Sequence, residues 1–500
     1  MIHKQQTTKR VMDVCQLLTD GERLTLECKK AAKSLPNSFW ETYSAFANTD
    51  GGIIILGVCE HPDITDKTKR FELTGVEDAD KIRKDIWNTV NNKEKTNINI
   101  LRDEDIQIAD VDGKQLVLVR VPRANYTQRP VYINNNLSHG VFKRNYEGDY
   151  HCTEPELKMM LRDAGDTGND GLLLDHYTMD DIDIPTLDSY RVMFRTMNPE
   201  HVWNGLENND FLKQLGGYSL DRNDGREGLT LAGLLMFGKG LPVRERFDNL
   251  RMDYIDKSHL VGDQRYSDRL TYDGTWENNL FNFMRMTLPK LTRDLPRPFK
   301  MEGMQRQDDT IQHKAVREAV TNMIIHSDFL LNGTLRIEKY NDCIVLTNPG
   351  LLKLPLAQIY AGGESKARNQ RIQNMLRMIG FGENLGSGFP FILHAWDEKH
   401  WIKPELIEQP QLMQVKLVLQ IKDEPINEPL NEPINELLTH RQRTIIAEMR
   451  RFPSFTKEEL SAATGISLAT MKREIAFLLR YGCISREGSR KTGHWRVKVI

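Results

Sequence analysis

Two acidic residues near the start of the 500-residue sequence, Glu22 and Glu27, are candidate ligands of a divalent metal ion. Carboxylate oxygens suit Mg²⁺ or Mn²⁺, and such a cation can activate water at a phosphodiester. Residues 21–31 alternate as a half-buried strand, which places Glu27 and Lys29 on its polar face. Glu22 joins Glu27 only if the chain bends near Gly21. The alternative interpretation is a structural ion pair between Glu27 and Lys29.

The stretch FANTDGGIIILGV, residues 46–58, predicts a turn from a helix into a buried strand. The helix is expected over residues 36–49, and the apolar run after the glycines is too short for another helix. Gly51 and Gly52 permit either a tight turn or a close approach of the backbone to a ligand, and both interpretations stay open. Residues 107–121 predict two further strands around a turn.

A second polar group lies in HKAVREAVTNMIIHSDFL, residues 313–330. Glu318 and Asn322 are four residues apart, so they are neighbours on one side of a predicted helix. A carboxylate and an amide at this spacing can hold water and a metal ion against a phosphate. The alternative is an ordinary polar helix face. Asp328 follows at the predicted end of the helix.

A basic, glycine-rich segment, SKARNQRIQNMLRMIGFGENLGSGF, occupies residues 365–389. Gly382, Gly386 and Gly388 leave backbone N–H groups free to approach a phosphate, and Ser387 lies among them. This segment is the second candidate element of a phosphate site.

The C-terminal residues 437–500 differ in charge from the rest of the chain. They contain 13 Lys and Arg against 5 Asp and Glu, whereas the whole chain has a net charge of −2. This distribution predicts a nucleic-acid contact at one end of the chain. Proline at every fourth position of PINEPLNEPINE predicts an extended linker over residues 423–436. The alternative is an edge segment that docks on the body.

The same C-terminal region has the element order of a winged helix-turn-helix. Thr456 and Glu459 form a predicted capping box, and the helix that they begin ends at Gly465. Another helix and two β-rich stretches follow. Candidate nucleic-acid contacts are Lys472, Arg473 and Arg480 on that helix, and Arg490 and Lys491 in the wing. The alternative is a winged helix used for dimerisation.

Composition favours a cytoplasmic protein without a membrane partner. No apolar run approaches the length of a membrane span, and the N-terminus lacks the apolar core of a signal peptide. The six cysteines are scattered, without the spacing of a zinc site or a disulfide framework.

Residues 10–165 resemble the AlbA_2 domain shared with the Schlafen family. The resemblance is carried by ExxxxExK from residue 22, FANTDGG from 46, ILGV from 55, TGV from 74, RPVYI from 129 and GVFKRN from 140. It implies an α/β fold that binds nucleic acid. Some Schlafen-type members are endoribonucleases with three acids and a divalent metal. Glu22 and Glu27 match two of these acids, and Glu60 and Asp63 are the alternatives for the third.

Residues 300–420 resemble the divergent GHKL ATPase domain that accompanies AlbA_2 in RecG-related regulators. The resemblance implies that ATP binds with Mg²⁺. Glu318 then matches the acid that activates water, Asn322 matches the Mg²⁺ ligand, and the segment from Gly386 to Gly388 matches the second glycine box. Asn348 to Gly350 stand where the family has an Asp-containing glycine box that recognises adenine, and the Asp is absent.

The predicted fold is therefore a multidomain α/β and α+β chain. Its expected function is nucleotide-responsive DNA binding, as a transcriptional regulator, with duplex DNA or RNA, a nucleotide and a second copy of the chain as partners. The alternative is a metal-dependent nuclease of stress or phage defence. The predicted segments are an AlbA_2/Schlafen-like α/β domain (1–165), a connecting α/β region (166–299), a GHKL-like α/β sandwich (300–422), the linker (423–436) and a winged helix-turn-helix (437–500).

Overall fold

A computed structural model of the chain contains two compact units, residues 1–424 and 425–500, and each is described by itself. The predicted linker, residues 423–436, lies outside the described residues. Among the helices of the described residues, none is both long and apolar enough to cross a bilayer. The structure describes residues 14, 18, 24–61, 64, 70–165, 168–295, 300–302, 305–307, 309–382, 388–422, 440–480, 484–487 and 494–497.

The N-terminal part of the first unit is built on a four-stranded sheet of order β1-β2-β6-β5. Strand β1 is parallel to β2, and the other pairs are antiparallel. The strands and helices expected from residues 21–58 and 107–121 are present. The strands are β1 (Leu26–Lys29), β2 (Gly52–Leu56), β3 (Val58–Glu60), β4 (Phe71–Leu73), β5 (Ile106–Val111), β6 (Lys114–Val121), β7 (Phe142–Asn145) and β8 (Gly148–His151), and the helices are α1 (Ser38–Asn48), α2 (Ala79–Val90) and α3 (Glu154–Ala164).

The two glycines between α1 and β2 are explained by packing within the chain. Gly51 has a φ of +76°, and a Cβ atom there would lie 2.8 Å from the carbonyl oxygen of Val121. A Cβ atom at Gly52 would lie 2.7 Å from the ring of Phe46. Since real Cβ atoms do not approach other atoms so closely, the glycines let β2 pack directly against α1 and the end of β6.

The middle of the first unit contains a helix that is buried on all sides. The apolar run at residues 229–238 predicts a core helix, and each residue of α6 is buried. The elements of this part are α4 (Ile184–Met197), α5 (Asn208–Leu215), β9 (Tyr218–Leu220), β10 (Glu227–Leu229), α6 (Leu231–Phe237), α7 (Gly240–Arg246), β11 (Arg251–Asp256), β12 (Asp268–Leu270) and α8 (Leu280–Thr292).

A six-stranded sheet of order β12-β11-β15-β16-β18-β17 organises the rest of the first unit. Only β11 and β15 form a parallel pair within it. The sheet joins strands of the predicted segments 166–299 and 300–422, and one hydrophobic core runs through both. The remaining elements are β13 (Lys300–Glu302), β14 (Gln305–Gln307), α9 (Ile311–Ile325), β15 (Thr334–Lys339), β16 (Cys343–Pro349), α10 (Leu356–Ala361), α11 (Gln370–Met378), α12 (Gly388–Asp397), β17 (Glu405–Gln409) and β18 (Gln414–Gln420).

The second unit has three helices followed by a two-stranded sheet in its described part. The Thr456 backbone N–H donates to Glu459 at 2.7 Å, and the Glu459 N–H donates back to the Thr456 hydroxyl at 3.2 Å, as the predicted capping box requires. Gly465 ends that helix with a φ of +70°. The elements are α13 (His440–Arg451), α14 (Lys457–Thr464), α15 (Leu468–Arg480), β19 (Ile484–Glu487) and β20 (His494–Val497).

Candidate functional site

Helix α9 places Glu318 and Asn322 side by side, as their spacing predicts. Val316 and Ala319 are fully buried in the core, which fixes the rotation of the helix about its axis. The Asn322 amide Nδ2 donates a hydrogen bond to Glu318 Oε1 at 3.2 Å. The amide oxygen of Asn322 and the carboxylate of Glu318 thus form one polar group.

Two of the predicted glycines lie against this polar group. A Cβ atom at Gly388 would lie 2.1 Å from Glu318 Oε1 and 3.2 Å from Asn322 Nδ2. A Cβ atom at Gly382 would lie 3.1 Å from the side chain of Thr321 and 3.8 Å from Glu318 Oε2. The structure therefore brings the helix and the glycine-rich segment together through backbone that only glycine allows to come so close. Gly386 and Ser387 lie outside the described residues.

The polar group lines a cavity of about 130 Å³ beside the six-stranded sheet. One wall is apolar and includes Leu346, Ile359, Val415 and Leu417. Four basic side chains also line the cavity, and the sequence interpretation did not single them out individually. Three of the four lie within the basic segment at residues 365–389, and the basic character of this segment is the sequence feature that could have predicted them. These basic residues are Lys353, Lys366, Arg368 and Arg377.

The cavity is electropositive around a neutral imidazole. Burial lowers the pKa of His326 to about 4, and the charges of Arg368 and Lys353 act in the same direction. Burial also lowers the pKa of the Lys353 ammonium. Arg368 is held by two hydrogen bonds to the Asp163 carboxylate, at 2.8 and 2.6 Å. The lining carries four basic side chains against two carboxylates, and this excess of positive charge suits an anionic ligand.

The cavity lining includes Asn348 but neither Asp328 nor Gly350. Asn348 lines it, with its amide donating to the Pro349 carbonyl at 3.3 Å. The Asp328 carboxylate instead accepts a hydrogen bond from Arg162 at 2.6 Å and is fully buried in that pair. Gly350 has a φ of +103°, and a Cβ atom there would lie 3.0 Å from Arg368. Asp328 and Gly350 therefore support the cavity from outside its lining.

The acidic residues of the N-terminal part are held in ion pairs. Glu27 lies 2.8 Å from Lys29 Nζ, which is the predicted ion pair, and also 2.8 Å from Arg144 Nη2. Arg144 pairs in turn with Asp149 at 2.9 Å. With Arg144 of β7 and Lys29 against it, the Glu27 side chain is only 14% exposed. Arg144 lies in the GVFKRN motif, but its pairing with Glu27 is not predicted from the sequence.

The other candidate acids do not join Glu27 in the described part of the chain. Glu60 is paired with Arg70 at 2.5 Å. Glu22 and Asp63 lie outside the described residues. Within the described ranges, no group of three or more His, Cys, Asp or Glu side chains could hold a metal ion.

The second unit carries one described candidate contact to nucleic acid. Lys472 is exposed on α15, the helix that also includes Arg473 and Arg480. Arg490 and Lys491 of the predicted wing lie outside the described residues. Helix α15 is therefore the candidate nucleic-acid-binding element in the described part of this unit.

The residues at the cavity fit a nucleotide with a divalent cation. Glu318 and Asn322 offer the carboxylate and amide oxygens that Mg²⁺ prefers. The close backbone at Gly382 and Gly388 and the four cations suit phosphate groups. The apolar wall suits a planar base, because small-molecule sites combine apolar surface with a few convergent polar groups.

Three regions of the chain match known protein families. Residues 22–153 match the family described as "Schlafen, AlbA_2". Residues 333–417 match the family described as "Putative ATP-dependent DNA helicase recG C-terminal". Residues 158–253, between them, match a domain of unknown function, DUF8451. No match to a curated protein was found.

Solved structures that are similar to the chain include the following two. The DIP2311 protein from Corynebacterium diphtheriae is 17% identical, with 96% of this chain and 95% of that chain covered and a TM-score of 0.38. The N-terminal domain of "Putative ATP-dependent DNA Helicase RecG-related Protein" from Nitrosomonas europaea is 29% identical, with 28% of this chain and 95% of that chain covered and a TM-score of 0.22.

The family matches fall on the two regions whose motifs carry the resemblances, and they associate the chain with nucleic-acid-related families. The first region contains Glu27 and Arg144, and the second contains Asn348, Lys353 and Arg368. The chain therefore carries a Schlafen AlbA_2 domain at residues 22–153 and a domain of the RecG C-terminal family at residues 333–417.

Proposed function

We propose that this chain is a nucleotide-responsive nucleic-acid-binding protein that acts as a transcriptional regulator in the cytoplasm. The observation that carries the proposal is the cavity beside α9. There, Glu318 and Asn322 lie against Gly382 and Gly388, and four cations share the lining. This combination of oxygen donors, close backbone and positive charge serves the recognition of a nucleoside phosphate.

In the proposed complex each part of the cavity has a separate task. Glu318 and Asn322 hold Mg²⁺, which neutralises phosphate charge when it is bound. Lys353, Lys366 and Arg377 face the phosphates, and the apolar wall on β16 and β18 receives the base. His326 stays neutral at pH 7, so it offers one hydrogen-bond donor and one acceptor to the ligand.

Nucleic-acid binding is proposed for both ends of the chain. The AlbA_2 match supports it for residues 22–153. The basic composition of residues 437–500 and the exposed Lys472 on α15 support it for the second unit, with duplex DNA as the ligand. A second copy of the chain is part of the proposal, because regulators of this kind bind symmetric sites as dimers.

The test is a thermal-unfolding series with ATP, GTP and Mg²⁺, followed by duplex-DNA binding with and without the nucleotide. A ligand that binds only the native state raises the unfolding free energy by about 2.7 kcal/mol at a concentration of 100 times its Kd. We expect a rise in Tm with a nucleotide and Mg²⁺ and a change in DNA affinity. A Tm that no nucleotide changes would remove the nucleotide from the proposal.

Among the described residues, no acidic side chain supports the metal-dependent nuclease in a comparable way. The described contacts of Glu27 and Glu60 are ion pairs with basic side chains. Substituting Glu27 separates the two functions, because a metal ligand is needed for cleavage whereas an ion-pair partner is needed only for stability.

A further inference from the structure

One wall of the cavity is formed by a loop that the AlbA_2 domain holds in place. Leu351, Leu352 and Lys353 line the cavity. Arg123 Nη2 donates a hydrogen bond to the Leu352 carbonyl at 2.9 Å, and Arg129 Nη2 donates one to the Lys353 carbonyl at 3.4 Å. Both arginines belong to the region matched by the AlbA_2 family, whereas the loop belongs to the RecG C-terminal region.

The peptide of Leu352 is held from both sides. Its N–H donates to Glu408 Oε1 at 2.6 Å, while its carbonyl accepts from Arg123. The other Glu408 oxygen lies 3.5 Å from Arg123 Nη1. The arginine and the carboxylate therefore pair with each other while both hydrogen-bond to the same residue, Leu352. The side chains of Arg123 and Glu408 are only 11% and 12% exposed. Solvent therefore weakens these contacts little.

The segment between the two arginines also contacts a cation of the cavity. Lys353 Nζ lies 4.6 Å from the ring centroid of Tyr126, within the range of a cation–π interaction. Burial lowers the pKa of Arg129 to about 10, and the neighbouring charge of Arg123 acts in the same direction. Residues 123–129 thus form a closely packed support for the loop at residues 351–353.

Arg123 also contacts a turn of its own domain, the one between α1 and β2. Arg123 Nη1 lies 3.2 Å from Asp50 of the FANTDGG motif. Asp50 directly precedes Gly51 and strand β2, which pairs with the strand that carries Glu27. Arg123 therefore contacts both the loop at the cavity and the turn between α1 and β2.

We infer that Arg123 and Arg129 are positioning residues of the nucleotide site, and that nucleotide binding is coupled through them to nucleic-acid binding. The inference rests on the proposed function and adds its route of regulation. Linkage requires the coupling to be reciprocal: a nucleotide that changes nucleic-acid affinity by some factor has its own affinity changed by the same factor.

The experiment compares arginines of the same domain in the full-length chain. Calorimetry measures the affinity for a non-hydrolysable ATP analogue with Mg²⁺ in wild type, Arg123→Ala and Arg120→Ala. Arg120 is a matched control because it pairs with Asp105 and Glu104 of its own domain. The Kd for a labelled RNA of mixed sequence, as a probe of the AlbA_2 domain, is then measured with and without the analogue.

For Arg123→Ala we expect about tenfold weaker analogue binding, the effect of losing about 1.4 kcal/mol. The analogue should change the RNA Kd of the wild type about fivefold or more. In Arg123→Ala the ratio of the RNA Kd values with and without the analogue should fall to about one, while the RNA Kd without the analogue stays at the wild-type value. Destabilisation of the fold alone would not produce this result. Arg120→Ala should behave as the wild type does.

A second pair of variants covers the case in which Arg123→Ala does not fold. Arg123→Lys keeps the charge but loses the planar guanidinium that contacts Leu352 and Glu408 at the same time. Glu408→Gln weakens the contacts of the carboxylate with the Leu352 N–H and with Arg123. Both should reduce the ratio partially. Wild-type coupling in the folded variants would overturn the inference while leaving the proposed function intact. A wild type that does not bind the analogue would overturn both.

Discussion

Arg144 donates a hydrogen bond to the Glu27 carboxylate at 2.8 Å, and this pair joins the hairpin β7–β8 to strand β1. Only 1% of the Arg144 side chain is exposed. Burial opposes the charge of its guanidinium, but the carboxylates of Glu27 and Asp149 outweigh this effect and raise the pKa of Arg144 above its usual value. The pair is therefore a charged contact in the interior of the AlbA_2 domain.

Replacing Glu27 by Gln should lower the free energy of unfolding by about 3 kcal/mol, because the charges of Arg144 and Lys29 lose a buried partner. Urea unfolding measures this change. The control is Glu104→Gln, whose carboxylate is more than half exposed near Arg120 and should contribute at most about 0.5 kcal/mol.

The same variant decides between the structural and the catalytic interpretation of Glu27. Wild type and Glu27→Gln are incubated with tRNA, single-stranded DNA and duplex DNA, with Mn²⁺, Mg²⁺ or EDTA. Cleavage by the wild type that needs metal, and is lost in a variant of unchanged stability, would show that Glu27 is a metal ligand. We expect no difference in cleavage and a clear difference in stability.

Replacing Asn322 by Ala should abolish the rise in Tm that ATP with Mg²⁺ produces. The substitution removes the amide oxygen next to Glu318 and leaves the apolar face of α9 untouched. Differential scanning fluorimetry measures the shift. Asn332→Ala is the control, since Asn332 is exposed in the same region of the chain. Equal shifts in the wild type and in both variants would contradict the phosphate site.

Replacing Lys472 by Ala should weaken duplex-DNA binding and reduce its dependence on salt. Loss of one phosphate contact lowers the slope of log K against log [salt] by about one. Fluorescence anisotropy at several salt concentrations gives the slope. Lys399→Ala removes the same charge from an exposed site outside both proposed nucleic-acid-binding regions. If both variants lowered the slope equally, α15 would not be the specific contact.

Stability should fall as the pH is lowered from 6.5 to 4, in part because of His326. The pKa of His326 is about 4 in the folded chain and about 6.5 in the unfolded chain, so the unfolded chain binds more protons in this window. The full difference corresponds to a loss of about 3 kcal/mol. His326→Asn should lose less stability across the window, whereas exposed His139→Asn should follow the wild type. Identical pH profiles of all three proteins would contradict this.

The features that depend on local spacing follow from the sequence alone. Helical periodicity placed Glu318 beside Asn322, and the capping box of Thr456 and Glu459 marked the start of α14. The positions of the glycines predicted where backbone approaches closely at Gly51, although only the structure identified its neighbour as Val121.

The contacts between distant segments follow only from tertiary packing. Arg144 lies 117 residues from Glu27, and Arg123 lies 229 residues from Leu352. No periodicity relates such pairs, because they meet only when separate strands and loops have packed. For the same reason the sequence suggested a boundary near residue 300, whereas strands β11 and β15 on either side of it pair in one sheet. Local preferences specify each element, but burial of the shared core selects their partners.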